Sequence, residues 1–258
     1  MCGRSSLTKT EKELEERFRA TFYTEELERY NPLPNYNVAP THMHPVITQE
    51  EPDTIHLYRW GLIPFWSKDM KIGAKMINAR GETVRDKPAF RTAYRRHRCL
   101  LPANGFYEWM ARDGGTGGKQ PVHVALKDGA PLAFAGIAER WLGPDGEPLD
   151  TCAIVTTEAN ALLTPVHERM PVIIAPADYA RWLDPTVADP ADLIAPYDND
   201  SLRYAPVSTR VNTVRHDDAS LIAPIAPVLA EALAEPPDEE PPAEPLPPVA
   251  KPKQSALF

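Results

Sequence analysis

Short segments with the pattern of β-strands follow one another through the middle of the 258-residue chain, with few helical patterns between them. The clearest is Thr54–Trp60, whose residues alternate between polar and apolar as in a half-buried strand. Five further segments have strand composition: residues 99–101, 122–126, 132–135, 153–156 and 172–174. Glycine-rich turn signals at residues 113–118 and 143–146 separate some of them. Strands this frequent, without a helix after each, predict an α+β domain built on antiparallel sheet rather than a repeated βαβ unit.

Helical patterns are few and short. Thr8 and Glu11 have the spacing of a capping box. Leu14, Phe18 and Phe22 follow at intervals of four residues, which predicts an amphipathic helix near the start of the chain. Two shorter helices are predicted at residues 160–163 and 178–183.

Proline is concentrated at the end of the chain, where eight of the last 24 residues are proline and acidic residues are frequent. Such a segment buries too little apolar surface to fold. We therefore expect a folded domain over residues 1–230 and a disordered tail over residues 231–258. The tail ends in Gln-Ser-Ala-Leu-Phe (254–258), which resembles the Gln-x-x-Leu-Phe peptides by which bacterial proteins bind the replicative sliding clamp. The alternative is a tail without a partner.

Charge is distributed unevenly along the chain. The net charge is −8, yet residues 59–98 contain eleven lysines and arginines and only three acids, a local charge of +8. This segment is a candidate phosphate-binding surface, and the alternative is a solvated basic face. Three cysteines without close spacing argue against a disulfide framework and a zinc site, and they indicate a reducing compartment. With no apolar run of membrane-spanning length and no signal peptide, the chain is expected to be cytoplasmic.

Cys2 directly follows the initiator methionine. Removal of Met1 would give Cys2 a free α-amine next to its thiol, with reference pKa values of about 8 and about 8.5. The amine of such a pair condenses with an aldehyde to an imine, and the thiolate then closes a thiazolidine ring. An internal cysteine cannot react in this way, because its nitrogen is an amide. The alternative is a small residue that packs in the core, as free cysteine usually does.

Two polar side chains lie within the basic segment. Asn78 and Arg80 point to the same side if residues 75–83 are extended. An amide beside a guanidinium suits the binding of an amine next to a phosphate. Asn-x-Arg is also common in loops, so this spacing alone carries little weight.

Glu108 and His167 are candidates for proton transfer. Glu108 lies between Tyr107 and Trp109, where aromatic surroundings disfavour the charged carboxylate; the alternative is a surface glutamate on an alternating strand. His167 lies in a predicted loop between a helix and a strand, which suits a proton donor or acceptor. His42 and His44 have no third ligand at suitable spacing, so no metal site and no cofactor are predicted.

Seven motifs occur in a fixed order along the chain. They are MCGR (1–4), YNVAP (36–40), RWGLIPFW (59–66), MINARGET (76–83), LPANGFYEW (101–109), TPVHERMPVI (164–173) and PVSTRVN (206–212). Together they closely resemble the SRAP family, the SOS-response-associated peptidase-like proteins that sense and process abasic sites in DNA. The resemblance covers roughly residues 2–220.

The resemblance implies a mechanism for this chain. In that family Met1 is removed, and Cys2 forms a stable thiazolidine crosslink with the ring-opened aldehyde of an abasic site in single-stranded DNA. By matching motifs, Asn78 holds the Cys2 amine, Glu108 acts as acid and base for imine formation and crosslink reversal, and His167 assists ring opening and proton transfer. The Schiff-base intermediate also permits β-elimination, so an abasic-site lyase activity is implied.

The resemblance further implies the fold and the DNA contacts. The fold is a single α+β domain with a distorted antiparallel β-barrel, short helices and a basic groove, and the protein is expected to be a monomer. Arg80 grips the phosphates beside the lesion, with backbone help near Gly3 and Arg4. The remaining implied DNA-binding residues are Asn37, Trp66, Arg85, Arg91, Thr156, Ser208 and Arg210.

This chain departs from the family pattern at two points. Some relatives have two tryptophans after the WG…P run, whereas here Phe65 precedes Trp66, so only Trp66 is predicted to stack on bases. A second phosphate-binding arginine has two candidates, Arg85 and Arg91.

Two other functions are open, of which a peptidase would share Cys2, Glu108 and His167 with the mechanism above. A cysteine peptidase with Cys2 as nucleophile leaves the basic segment and Trp66 unexplained. A non-enzymatic single-strand binding protein leaves the N-terminal cysteine unexplained.

Overall fold

The computed structural model describes residues 2–112 and 118–225. Within them the chain forms fourteen strands and four short α-helices. The strands are β1 Ser5–Leu7, β2 Thr21–Phe22, β3 Asn35–Val38, β4 Met43–Thr48, β5 Thr54–Trp60, β6 Asn78–Arg80, β7 Arg98–Ala103, β8 Gly105–Ala111, β9 Lys119–Leu126, β10 Leu132–Leu142, β11 Pro148–Glu158, β12 Arg169–Pro171, β13 Ile173–Ile174 and β14 Leu202–Pro206. The helices are α1 Glu11–Phe18, α2 Thr24–Arg29, α3 Arg91–Arg96 and α4 Tyr179–Leu183. The domain boundary at residue 230 and the tail with its clamp-like pentapeptide lie outside the described residues.

Five strands close into a barrel, which confirms the predicted fold class. The order β5–β4–β7–β10–β11 is antiparallel throughout. The ring then closes by a parallel pairing of β11 with β5, in which Thr151 lies opposite Arg59 and Cys152 opposite Trp60. This parallel closure is one distortion of an otherwise antiparallel barrel. The rest of the α+β domain surrounds the barrel.

A second sheet places the start of the chain beside the barrel. Its strand order is β14–β9–β8–β1–β3. β1 enters this sheet between β8 and β3, with Ser6 opposite Gly105. A Cβ at Gly105 would lie 2.3 Å from the Val124 carbonyl oxygen and 2.6 Å from the His123 ring, so only glycine fits there. The His123 ring packed on Gly105 also bonds to the Ser6 hydroxyl at 2.9 Å, which fixes β1 against β8.

Strand β6 brings the basic segment to the barrel. It pairs in parallel with β11 directly after the β11 residues that pair with β5, with Asn78 opposite Ile154 and Arg80 opposite Thr156. Ala79 between them is fully buried, whereas Arg80 is exposed. Asn78 and Arg80 therefore lie on the same side of an extended strand, as the period-two spacing predicts.

The first helix differs from the prediction. Its N-cap is Thr10, whose side chain accepts from the Glu13 amide in a complete capping box, so the box predicted at Thr8 and Glu11 is displaced by two residues. Leu14 and Phe18 face the core as predicted, but the helix ends at Phe18 and residue 22 belongs to β2. Residues 161–166 form turns where a helix was predicted at 160–163, and α4 falls within the range 178–183 predicted for the last helix. Among the described residues, none of the helices has the length and apolar character needed to cross a membrane.

Candidate active site

Cys2 is completely buried next to the strand that carries Glu108. The antiparallel ladder between β1 and β8 continues toward the N-terminus, because the Tyr107 amide donates to the Arg4 carbonyl at 2.9 Å. This continuation brings the first residues of the chain alongside Glu108. Cys2 is 0% exposed and packs as a member of the main hydrophobic core.

Asn78 reaches Cys2 from the opposite side, from β6. Its Nδ2 donates to the Cys2 carbonyl oxygen at 2.8 Å. Its Oδ1 is buried and has no hydrogen-bond partner among the described residues. A buried acceptor without a partner costs free energy, so this oxygen is a natural acceptor for an N–H group that arrives at Cys2.

The Glu108 carboxyl lies in surroundings that favour its neutral form. The residue is 4% exposed. Burial raises the pKa of Glu108 above its ordinary value, and the basic side chains of His167 and Lys119 act in the opposite direction. A carboxyl with a raised pKa can give and take a proton near neutral pH.

The Cys2 thiol is also shifted toward its neutral form. Burial raises the pKa of the thiol well above its ordinary value, and the nearby Glu108 charge raises it further. The main-chain N–H of Arg4 bonds to the sulfur and acts in the opposite direction. In the folded chain the pKa of the Cys2 thiol therefore lies above the reference value of a free cysteine.

His167 lies in the turn that precedes β12. Its amide donates to the Leu163 carbonyl at 2.9 Å, and its Nδ1 accepts from the Arg169 amide, also at 2.9 Å. Its electrostatic interaction with Glu108 places the two side chains in one site. Cys2, Asn78, Glu108 and His167, far apart in the sequence, are thus brought together.

Two arginines lie at the edge of this site. Arg80 is exposed on β6, opposite Thr156 of β11. Arg169 at the start of β12 donates to the Thr156 carbonyl at 2.8 Å and pairs with both carboxylate oxygens of Glu82. Arg169 was not among the residues selected from the sequence, although the HERMP motif contains it two residues after His167. Thr156 is fully buried, and Arg169 Nη2 contacts both its carbonyl oxygen at 2.8 Å and its hydroxyl oxygen at 3.4 Å.

The two arginines proposed from the sequence as a second phosphate ligand lie elsewhere on the basic segment. Arg85 pairs with Asp189 at 3.1 Å. Arg91 is the exposed first residue of α3. Neither lies on a strand, whereas Arg169 is the first residue of β12, which pairs with β11.

A third group of predicted DNA-binding residues surrounds the segment after β14. Arg4 donates to Asn37 Oδ1 and to the Val211 carbonyl, both at 2.6 Å, and lies 6.0 Å from the Trp109 ring centroid. Asn37 is 1% exposed and donates to the main-chain carbonyl oxygens of residues 211, 213 and 216. These contacts hold residues 209–216 against the N-terminal strand.

Ser208 and Arg210 belong to the segment that Asn37 holds. Ser208 accepts from the Arg210 amide at 3.2 Å and caps a short 3₁₀ turn. Arg210 is exposed and pairs with Asp218 at 2.8 Å. Gly3 is half-buried between Cys2 and Arg4.

Two adjacent aromatic side chains project into solvent after β5. Trp66 is 52% exposed and Phe65 is 60% exposed. The loop is fixed to the β10–β11 hairpin, because Trp141 Nε1 donates to the Ser67 carbonyl at 2.7 Å. The sequence predicted base stacking only for Trp66, but the Phe65 ring is exposed to a similar extent and offers a second stacking surface. Within residues 2–112 and 118–225, no group of three or more His, Cys, Asp or Glu side chains is arranged to hold a metal ion.

The geometry therefore defines a class of protein: a β-barrel domain whose second residue is a buried cysteine set among an amide, a carboxyl and an imidazole. The family model named SOS response associated peptidase (SRAP) matches residues 1–214, and the chain belongs to that family.

Curated relatives span bacteria and vertebrates. The chain is 41% identical over 226 residues to the abasic site processing protein YoqW of Bacillus subtilis, covering 86% of this chain and 99% of the relative. It is 33% identical over 230 residues to the abasic site processing protein HMCES of Gallus gallus, covering 74% of this chain and 66% of the relative. A crystal structure of a Bacteroides thetaiotaomicron protein matches with a TM-score of 0.79 and 26% identity, covering 87% of this chain and 100% of that one.

Proposed function

We propose that this chain, once Met1 is removed, captures abasic sites in single-stranded DNA as a thiazolidine crosslink at Cys2. The α-amine attacks the aldehyde carbon, and loss of one water gives an imine. The thiol then adds across the imine, with sulfur bonding to carbon and the thiol proton ending on nitrogen. The names of the relatives, abasic site processing proteins, support this substrate.

The observation that carries the proposal is the contact between Cys2 and Asn78. Nδ2 of Asn78 already anchors the Cys2 carbonyl at 2.8 Å, which leaves the buried Oδ1 as an acceptor beside the same residue. An α-amine created by loss of Met1 would supply the N–H group that this oxygen requires. The amide would then orient the amine lone pair toward an incoming aldehyde.

Glu108 fits the two proton transfers. Its raised pKa favours a protonated carboxyl, which donates to the hydroxyl that leaves as water when the imine forms. The resulting carboxylate accepts the proton of the Cys2 thiol, whose own raised pKa makes a nearby base necessary for ring closure. The same steps in reverse release the DNA, and β-elimination from the imine would give strand cleavage as a side reaction.

The buried thiol argues against the alternative function, a cysteine peptidase with Cys2 as nucleophile. A cysteine peptidase needs a thiolate stabilised by neighbouring positive charge. Here burial and Glu108 both raise the pKa of Cys2. If the amine attacks first and the thiol second, the thiol does not have to be ionised beforehand.

We propose that Arg80 and Arg169 bind the phosphates on the two sides of the lesion. Both arginines lie next to Thr156 of β11, beside the site that holds Cys2: Arg80 is its register partner on β6, and the Arg169 side chain donates to its carbonyl oxygen. Arg80 can bind a phosphate through two parallel N–H groups. Arg169, whose terminal nitrogens already bind Glu82 and Thr156, has one Nη1 hydrogen left to donate. Unpaired bases would then extend toward the exposed rings of Phe65 and Trp66.

The test is to incubate the purified protein with a single-stranded oligonucleotide that carries one abasic site. We expect a species that migrates slowly in a denaturing gel and withstands heating in SDS. An oligonucleotide with an intact base at that position is the control. Strand scission without a persistent species would assign a lyase in place of a stable crosslinker, and no covalent species of either kind would refute the proposal.

Phe65→Ala and Trp66→Ala are each expected to weaken binding to an undamaged single strand. Stacking of one base on an aromatic ring contributes about 1–3 kcal/mol, or roughly a fivefold to hundredfold loss in affinity. Fluorescence anisotropy with a labelled oligonucleotide measures the loss. Tyr30→Ala removes another exposed aromatic, 45% exposed at the end of α2, and should leave the affinity unchanged. Equal losses in all three variants would exclude a specific stacking loop.

We also propose that Gln-Ser-Ala-Leu-Phe at residues 254–258 binds the replicative sliding clamp. Two large apolar residues at the end of a proline-rich segment suit insertion into a pocket of a partner. Isothermal titration of a peptide covering residues 249–258 into the clamp is expected to show saturable heat. A peptide with Leu257 and Phe258 replaced by alanine is the control. No heat at high micromolar concentration would overturn this proposal.

A further inference from the structure

Glu82 forms the most extensive side-chain contact with Arg169. Both of its carboxylate oxygens accept from the Arg169 guanidinium, and Nη2 of Arg169 makes the second of these bonds at 2.9 Å. The same Nη2 donates to the Thr156 carbonyl at 2.8 Å. The Arg169 side chain is only 12% exposed, whereas the Glu82 side chain is 54% exposed. The hydrogen bond from Arg169 lowers the pKa of Glu82, so the carboxylate is charged at neutral pH. Arg169 is therefore fixed between the segment after β6 and strand β11.

The main chain of Arg169 in turn contacts the imidazole of His167. The Arg169 amide donates to His167 Nδ1 at 2.9 Å. Because an amide N–H only donates, Nδ1 must offer its lone pair and carry no proton. The proton of the neutral ring then lies on Nε2, so the ring presents a donor at that atom.

We propose that Glu82 is a positioning residue that acts on His167 through Arg169. By holding the Arg169 guanidinium, Glu82 keeps the Arg169 amide aimed at Nδ1 and so keeps His167 in its Nε2–H tautomer. This arrangement suits a ring that donates a hydrogen bond to a sugar oxygen, and it opposes a ring that accepts a proton at Nε2. The chemical use of the tautomer rests on the proposed function, whereas the tautomer itself does not.

Two observations support an effect of Glu82 on the His167 ring. The residue pair Arg169 and Glu158 lies at the last register position of the β11–β12 ladder, where strand ends fray most easily. Glu82 also interacts electrostatically with Arg80. Loss of the carboxylate thus leaves Arg169 without two of its acceptors at the end of a three-residue strand.

The test is ¹⁵N NMR of the histidine rings in the full chain, without DNA. The wild-type His167, assigned by comparison with His167→Gln, is expected to show the shift pair of the Nε2–H tautomer at neutral pH. In Glu82→Ala both ring nitrogens should move toward the averaged shifts of free histidine, and Glu82→Gln, which keeps one acceptor oxygen, should lie between the two. Asp150→Asn is the control matched to Glu82→Gln, because it likewise removes one acceptor oxygen from another bidentate pair, with Arg140 at 2.7 Å, at the opposite end of β11.

A second readout follows the reaction. The Glu82→Ala variant should crosslink on the order of tenfold to a hundredfold more slowly than the wild type. Its pH profile should also change shape, as expected when a catalytic ring is misplaced. Asp150→Asn should keep the wild-type profile. An unchanged His167 tautomer in both Glu82 variants would overturn the inference. If the wild-type protein shows the Nε2–H tautomer but forms no crosslink, the proposed function fails and the inference about Glu82 stands. Should the alanine variant not fold, Glu82→Gln decides by the same shifts.

Discussion

Cys2→Ala is expected to abolish the heat-stable crosslink to an abasic single strand. Alanine keeps the α-amine exposed by loss of Met1 but removes the sulfur that closes the ring. The variant should therefore stop at the imine, which hydrolyses on heating. Denaturing gels of matched reactions measure the loss, and addition of borohydride to Cys2→Ala should restore a covalent band by reducing the imine to an amine.

The borohydride experiment separates the contributions of the α-amine nitrogen and the thiol sulfur to the crosslink. A variant with one residue inserted between Met1 and Cys2 keeps the Cys2 nitrogen as an amide, so it should give neither band through Cys2. Cys152→Ala removes another fully buried thiol and should crosslink like the wild type. A heat-stable band from Cys2→Ala equal to that of the wild type would exclude the thiazolidine.

Local patterns predicted the barrel strands better than they predicted how the barrel closes. The predicted strand Thr54–Trp60 has the same bounds as β5, and its alternation holds for the first four residues, where Ile55 and Leu57 are buried and their neighbours are half-buried. The parallel contact of β5 with β11 joins residues about ninety positions apart, such as Arg59 and Thr151, and leaves no local signal. Only the resemblance to a known family implied a barrel.

The first helix shows why local signals place boundaries poorly. Thr8 with Glu11 and Thr10 with Glu13 both have the capping-box spacing. The second box forms in the fold, and the Thr8 amide instead donates to Asn104 Oδ1 at 2.6 Å. A tertiary contact with the β7–β8 turn therefore accompanies the choice between two equivalent local caps.

The candidate site was predicted in part, for the same reason. The sequence indicates the chemistry of Cys2, Glu108 and His167, because each residue type has a reactive group in a suitable motif. It does not show that Arg80 and Arg169 both lie next to Thr156, because Thr156 belongs to a third strand. It also does not show that the Cys2 thiol is fully buried, which raises its pKa above the reference value.

Glu108→Gln is expected to slow crosslink formation by about 10²- to 10⁴-fold, the usual range for loss of general acid–base catalysis. Glutamine keeps the size of the side chain but cannot transfer a proton. Because burial raises the pKa of Glu108, the wild-type pH–rate profile should bend above the ordinary range of a glutamate, and this bend should vanish in the variant. Single-turnover gel assays across pH measure both effects. Glu28→Gln, an exposed carboxylate on α2, is the control.

The same substitution should raise the stability of the fold at neutral pH. A carboxyl whose pKa is higher in the folded than in the unfolded chain favours folding below the unfolded pKa, and that contribution is lost as pH rises through the folded pKa. Glu108→Gln should therefore have its largest advantage in the free energy of unfolding above the raised pKa, and the advantage should shrink as pH falls toward the ordinary glutamate value. Denaturant unfolding at several pH values measures it. A variant that is both slower and less stable at neutral pH would indicate a structural role for Glu108, because a buried carboxyl with a raised pKa should gain stability when a neutral side chain replaces it.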